Sequence, residues 1–321
     1  MSLAPSPAPG VVEELPSGDL PRPGPVPGPG VAPEPSVAPA LDSRQGLTAK
    51  VLPAPGAPEG GYIVHELLGR GATATVFRGT DLTSGRPVAL KVAEGPEAPQ
   101  ADRIHAEAKI LAELDHPAIV TFIAKGIVPE GDPWAGRPFL VEEFVYGGSL
   151  AERIRGGAAQ PGQVAKWGTA ALSGLAHVHA RGLVHRDIKP ANILLSELRR
   201  SAVRIADFGI ATPAGTPLQP GDSSGTVHYM SPEQAAGLHP GTASDIYALG
   251  LVLLECLTGV KAFAGTPVES LVARTLRGPD VPAGLGKRWV SLLTAMTAMD
   301  PAARPSAADA GEQAARLVPR S

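Results

Sequence analysis

The sequence predicts an α+β protein in which a strand-rich first half gives way to a helical second half. Between Tyr62 and Val145 the apolar residues fall in short β-branched and aromatic runs bounded by Gly, Pro and Ser. Beyond Gly147-Gly148 they recur every three or four residues over long stretches, the spacing of helices with one buried face. A hydrophobic content of 43% in 321 residues is enough for a sizeable core.

Residues 1 to 60 stand apart. They hold fifteen of the thirty-five prolines and no Tyr, Trp or Phe. So little apolar area cannot offset the entropy of ordering the backbone, and a disordered Pro/Ala/Gly-rich tail is predicted. Its run Pro21-Arg22-Pro23-Gly24-Pro25-Val26-Pro27 reads first as flexible chain and second as a polyproline ligand. The net charge of -3 gives no basic surplus for nucleic acid. The one cysteine, Cys256, excludes an intramolecular disulfide and a multi-cysteine metal site, which fits a reducing, cytoplasmic setting. No basic segment followed by an apolar run opens the chain, so no secretory signal is expected. The longest apolar stretch, Ile246 to Val260, is interrupted by Glu255 and short for a bilayer, so no membrane segment is expected either.

Order is expected from Tyr62. The run to Leu68 and the run Thr75 to Thr80 predict a hairpin, joined by Gly69-Arg70-Gly71-Ala72-Thr73-Ala74, a segment that would lay backbone N–H groups over phosphates. A plain β-turn explains that motif equally well. Val88 to Val92 reads as a strand carrying one charge, Lys91, which requires an anionic partner if buried. Ile104, Ala108, Leu111 and Leu114 predict a helix over 101–114, ended by His116-Pro117. Strands are expected at 121–128 and 139–145. Ser149 and Glu152 have capping-box spacing for a short helix, and Val164 to Val178 recur with helical period before Gly182. Further helices are expected from Ser244-Asp245 to Gly259 and over 266–277, 287–299 and 306–317.

The stretch His185-Arg186-Asp187-Ile188-Lys189-Pro190-Ala191-Asn192 carries the chemistry, together with Asp207-Phe208-Gly209. Two short apolar runs, Ile193 to Leu195 and Val203 to Ile205, predict a strand pair that brings Asn192 and Asp207 together. Two carboxylates, an amide and an ammonium are what a site needs to position a hydroxyl, hold Mg²⁺ and neutralise a migrating phosphoryl group. Any single aspartate here could instead serve a turn or a cap. From Ile210 to Ser224 the chain is rich in Pro, Gly, Ser and Thr, as in a mobile loop.

In these residues the sequence resembles the eukaryotic-type (Hanks-type) serine/threonine protein kinases, and the Ser231-Pro232-Glu233-Gln234 run and the Ala/Gly/Pro-rich composition resemble bacterial members. The resemblance covers about residues 60 to 318. It implies a bilobal α+β fold: a small antiparallel β-sheet N-lobe with one main helix over 61–146, a larger mostly helical C-lobe over 147–318, and a short tail, 319–321. It implies ATP with Mg²⁺ or Mn²⁺ as cofactors and proteins with Ser/Thr acceptors as partners. Asp187 would be the proton acceptor, Lys189 would neutralise the γ-phosphate, Thr226 would orient both, and Asn192 and Asp207 would hold the metal. Leu68, Gly69, Arg70, Gly71, Ala72, Thr73, Ala74 and Val76 would cover the nucleotide, with Ala74 in place of the family's third glycine. Ala89 and Leu194 would sandwich the adenine, and Glu143 and Val145 would hold its edge. Lys91 would pair with Glu107, Glu113 being the rival. Glu142 would guard the back of the pocket, where a small or apolar residue is usual, and would either pair with a neighbour such as Lys91 or carry a raised pKa. Asp245 would brace the catalytic loop and Arg304 would pair with Glu233. Thr212, Thr216, Ser223 and Ser224 are candidate phosphate acceptors beside Arg186. A pseudokinase scaffold and a small-molecule phosphotransferase are the rival readings; retention of Lys91, Asp187, Asn192 and Asp207 argues against the first, the segment 226–233 with Arg304 against the second.

Overall fold

The computed structural model describes residues 50–54, 60–71, 73–96, 100–197, 201–213, 216 and 227–319, all within one compact unit, Leu47–Ser321. The predicted tail thus lies outside the described residues except at its end.

The first half builds a six-stranded antiparallel sheet from β1 (Lys50–Pro53), β2 (Gly61–Arg70), β3 (Ala74–Asp81), β4 (Pro87–Ala93), β5 (Phe122–Ile127) and β6 (Pro138–Glu143), ordered β1-β2-β3-β4-β6-β5. Helix α1 (Gln100–Ala112) packs beside it. Alternation divides the sheet's two faces. Leu90, Val92, Phe139 and Val141 point into one small core with Leu52, Tyr62 and Val64. Register pairs Val76 with Lys91 and Ala89 with Glu142, so these four residues share the opposite face.

The second half is helical: α2 (Leu150–Arg155), α3 (Pro161–His179), α4 (Pro232–Ala235), α5 (Thr242–Thr258), α6 (Pro267–Leu276), α7 (Lys287–Met296) and α8 (Ala307–Ala315). The expected capping box opens α2, with Glu152 N donating to Ser149 Oγ at 3.2 Å and Ser149 N to Glu152 Oε2 at 2.7 Å. Gly259, at φ 74°, ends α5 in the left-handed conformation that glycine adopts without strain. Ile246, Leu249, Val252 and Leu253 of α5 join Leu172, Leu175, Phe208 and residues of α1 in one continuous core. That shared core couples the two halves.

Three strands were not expected. β1 pairs with the start of β2, Leu52 opposite Tyr62, so the ordered unit begins before Tyr62. Its prolines hid it from a composition argument, yet Pro53 sits at an edge strand's end, where a missing N–H costs little. The two-residue strands β7 (Leu183–Val184) and β10 (Thr212–Pro213) pair with each other, anchoring the start of the segment read as a loop. Between them, β8 (Ile193–Leu195) and β9 (Val203–Ile205) form the expected pair. The helix expected to run to Met299 stops at Met296, where Thr297 turns its hydroxyl back to Leu293 O at 2.7 Å ahead of Pro301.

Arg304 seals the base of the helical half. Its Nη1 and Nη2 reach Glu233 Oε1 and Oε2 at 2.7 and 2.8 Å, and its guanidinium lies 4.8 Å from the Tyr247 ring centre. Both charges are buried, so removing one leaves the other uncompensated. Arg304→Met should cost about 3–5 kcal/mol in urea unfolding, and Arg304→Met/Glu233→Leu should recover much of it; equal losses in the single and double variants would contradict this.

Candidate active site

Lys91 lies on β4 in an apolar run, and its ammonium is buried. Its Nζ lies 2.8 and 2.7 Å from the Glu107 carboxylate oxygens and 2.7 Å from Asp207 Oδ1. The required anionic partner is therefore Glu107 on α1, while Glu113 is exposed. Burial alone would lower the Lys91 pKa, but Asp207, Glu107 and Glu142 hold it above its ordinary value. Burial would likewise raise Asp207, and Lys91 brings it well below the carboxylate range. The result is a fixed ammonium facing an ionised carboxylate.

The β8–β9 ladder joins the two chemical segments. Ala206 N donates to Asn192 O at 2.9 Å, which sets Asn192 beside the start of Asp207-Phe208-Gly209. Phe208 is buried against the His185 ring, 4.6 Å between centres, and its N–H meets Glu107 Oε1 at 3.0 Å. Asp207 takes the left-handed conformation, φ 65°, unusual for a residue with a side chain. Its carboxylate thereby meets Lys91 while Phe208 enters the core.

Asp187 Oδ2 accepts from Lys189 Nζ at 2.7 Å and from Asn192 Nδ2 at 3.1 Å. Asn192 Nδ2 also meets Asp187 O at 2.9 Å, which leaves the amide oxygen for a cation. The loop is held from beneath by Asp245 at the start of α5, whose Oδ2 and Oδ1 accept from the His185 and Arg186 N–H groups, each at 2.8 Å. That is the brace the sequence suggested. Among the described residues no group of three or more His, Cys, Asp or Glu side chains could hold a metal alone. Asn192 and Asp207 instead offer hard oxygen ligands, the type Mg²⁺ takes when phosphates complete its shell.

Val76, Ala89 and Leu194 are half-buried although apolar, as walls of an open cleft would be. Gly69 pairs with Val76 and Arg70 with Thr75, and Gly71 N meets Ala74 O at 2.8 Å to close the glycine loop. Thr73 O accepts from Glu94 N at 3.0 Å, and Leu68 is exposed on β2. Val145 is half-buried just past β6. Ala72, Ser223, Ser224 and Thr226 lie outside the described residues. Thr212 is corrected as a phosphate acceptor: its hydroxyl is buried in the β7–β10 pair. Thr216 stays beside Arg186, whose Nη2 donates to Thr216 O at 2.5 Å.

Two buried arginines were not singled out in the sequence. Arg204, a charge inside the apolar run of β9, meets Glu143 Oε1 at 2.9 Å; the signal was the one that marked Lys91. Arg274 on α6 donates to Met230 O and His228 O at 2.5 and 2.8 Å, fixing the segment before α4, and nothing in its helical spacing announces this.

A model of the protein kinase domain matches residues 62–314. The serine/threonine-protein kinase PknL of Mycobacterium tuberculosis is 36% identical over 255 residues, which cover 76% of this chain and 62% of that protein. Serine/threonine-protein kinase PrkC of Bacillus subtilis is 36% identical over 236 residues, covering 72% and 35%. The DNA damage-responsive serine/threonine-protein kinase RqkA of Deinococcus radiodurans is 37% identical over 228 residues, covering 68% and 33%. The chain belongs to the protein kinase family, alongside bacterial eukaryotic-type serine/threonine kinases, and spans less than two thirds of the length of these relatives. The family uses ATP and a divalent metal ion.

Glu142 is the departure. It is buried on the cleft face, its Oε1 has no hydrogen-bond partner among the described residues, and Lys91 spends its bonds on Glu107 and Asp207. Burial, then Glu107, push its carboxyl from 4.5 up to about 8. A carboxyl raised on folding binds more protons in the folded state between those values, so it stabilises the protein at low pH and loses that contribution as pH rises towards 8. Thermal melts of wild type against Glu142→Gln should diverge across this range, the wild type falling progressively behind; a pH-independent difference would contradict it.

Proposed function

We propose that this chain is a serine/threonine protein kinase that transfers the γ-phosphoryl group of Mg-ATP to Ser/Thr hydroxyls of proteins. The observation that carries the reading is the meeting of Lys91, Glu107 and Asp207 in one ion cluster, with Asp187, Lys189 and Asn192 tied to it through the β8–β9 pair. A fixed ammonium, a hydroxyl-directed carboxylate and two oxygen ligands are the set that phosphoryl transfer from a metal-bound nucleotide to a hydroxyl needs.

Lys91, held by Glu107, grips the nucleotide's non-transferred phosphates. Asn192 and Asp207 would hold the metal, which would supply charge neutralisation on the phosphates. Asp187 takes the proton of the incoming hydroxyl: Lys189 and Asn192 occupy its Oδ2, leaving Oδ1 as the accepting atom. Lys189 moves from Asp187 to the γ-phosphate as charge builds there. Glu143 and Val145 hold the adenine edge, with Val76, Ala89 and Leu194 above and below it, under the loop from Leu68 to Val76. Thr226 orients Asp187 and Lys189. Autophosphorylation falls on the segment 210–224, where Thr216 lies beside Arg186. The nucleotide supply and the single buried Cys256 thiol fit action in the cytoplasm; among the described residues no helix is long and apolar enough to cross a membrane.

Labelled-phosphate transfer to a generic protein and to the chain itself tests this. Asp187→Asn should lower kcat by about 10²–10⁴-fold with little change in ATP affinity, and Lys91→Met should abolish transfer; full activity in either variant would remove the role assigned to that residue. Glu142→Thr should strengthen binding of adenine-site inhibitors that carry a bulky group at the rear of the pocket, since Glu142 narrows it; unchanged affinity would refute that.

A further inference from the structure

Arg204 is buried in β9, three residues before Asp207, and its guanidinium holds partners on two other segments. Its Nε donates to Glu143 Oε1 at 2.9 Å, and its Nη1 donates to Pro117 O in the segment that follows α1. Glu143 Oε1 also accepts from Thr121 N and Thr121 Oγ1, at 3.1 and 3.2 Å. The same segment is sewn to β9 by backbone bonds, Ile205 N to Ala118 O at 2.8 Å and Val120 N to Ile205 O at 3.0 Å. One guanidinium therefore stands where three pieces of the site meet: the end of β6 with Glu143, the connection from α1 with Glu107, and the strand that runs into Asp207.

The register of β6 adds a directional argument. Glu142 and Glu143 point to opposite faces, so the Glu143 side chain leaves the cleft and only its backbone can meet a ligand there. The side chain is thus free to act as a handle on that backbone, and Arg204 holds it. A planar fork with several donors can hold a carboxylate and a carbonyl together, which a lysine ammonium does with less directional constraint.

We propose that Arg204 is a positioning residue that locks the base-holding end of β6 to the strand carrying Asp207, so that the seats for adenine and for the metal-bound phosphates move as one body. The proposal rests on the Mg-ATP reading above. ATP then gains affinity from the fixed spacing of the two seats, beyond what its halves gain separately. Loosening the lock leaves each seat intact but removes that gain.

The test compares dissociation constants of ATP, adenosine and tripolyphosphate, all with Mg²⁺, for the wild type, Arg204→Lys and Arg204→Met. Arg204→Met removes every donor to Glu143 Oε1 and Pro117 O, and Arg204→Lys, which keeps the charge but not the planar fork, carries the test if Arg204→Met fails to fold. Adenosine and tripolyphosphate should each bind the variants within about two-fold of wild type, while ATP weakens about ten-fold, a usual size for coupling between sites. KM for ATP should rise by the same factor, with kcat at saturating ATP little changed. ATP affinity that is unchanged, or that falls only as far as adenosine or tripolyphosphate alone falls, would overturn the proposal. If wild type binds no ATP at all, the Mg-ATP reading fails, a result distinct from a wild type that binds ATP and variants that bind it equally.

Discussion

The buried ammonium of Lys91 is the constraint on which the rest depends. An isolated charge on an interior strand would be costly to desolvate, and here Glu107 and Asp207 offset that cost from two different elements. Each partner then inherits a position. Glu107 fixes α1 against the sheet and takes the Phe208 N–H with its other contacts, and Asp207 is held beside the ammonium by a backbone conformation that the buried Phe208 enforces. Stability and candidate chemistry draw on the same three side chains.

A second set of buried charges plays the corresponding part in the helical half. Asp245 accepts two backbone N–H groups of the loop carrying Asp187, so α5 fixes that loop without touching the reacting atoms. Glu233 receives both Arg304 nitrogens and the Ser244 hydroxyl, the last at 2.7 Å, which ties α4 to α5 one residue from Asp245. The helix that braces the loop is thus braced in turn.

Much of this was legible in the sequence because the signals were local. The pairing of Ile193–Leu195 with Val203–Ile205 followed from two apolar runs, the cap at Ser149 from its spacing to Glu152, and the need for a partner on Lys91 from one charge in an apolar strand. What was not legible depends on long-range contacts. The strand Lys50–Pro53 is only four residues long in a proline-rich stretch, and only its pairing with β2 gives Leu52 a core to enter. The burial of the Thr212 hydroxyl follows from pairing with Leu183–Val184, about thirty residues away along the chain, which composition cannot reveal. Arg274 acts on backbone carbonyls, which leave no mark in a sequence, whereas the lone charge in the apolar run of β9 marks Arg204 but not its partners, Glu143 and the Pro117 carbonyl. Glu142 could be placed at the back of the cleft, but that its Oε1 has no hydrogen-bond partner among the described residues required the geometry of its neighbours.

Under the proposed function these dispersed residues would form a single seat for a metal-bound nucleotide triphosphate. The decisive measurement is a crystal structure with a non-hydrolysable ATP analogue and Mn²⁺, the ion located by its anomalous scattering. One metal is expected between the Asn192 amide oxygen and the Asp207 carboxylate, with the phosphates against Lys91 and the base against the end of β6. A metal peak away from both residues, or an analogue bound outside the cleft between Val76 and Leu194, would contradict it.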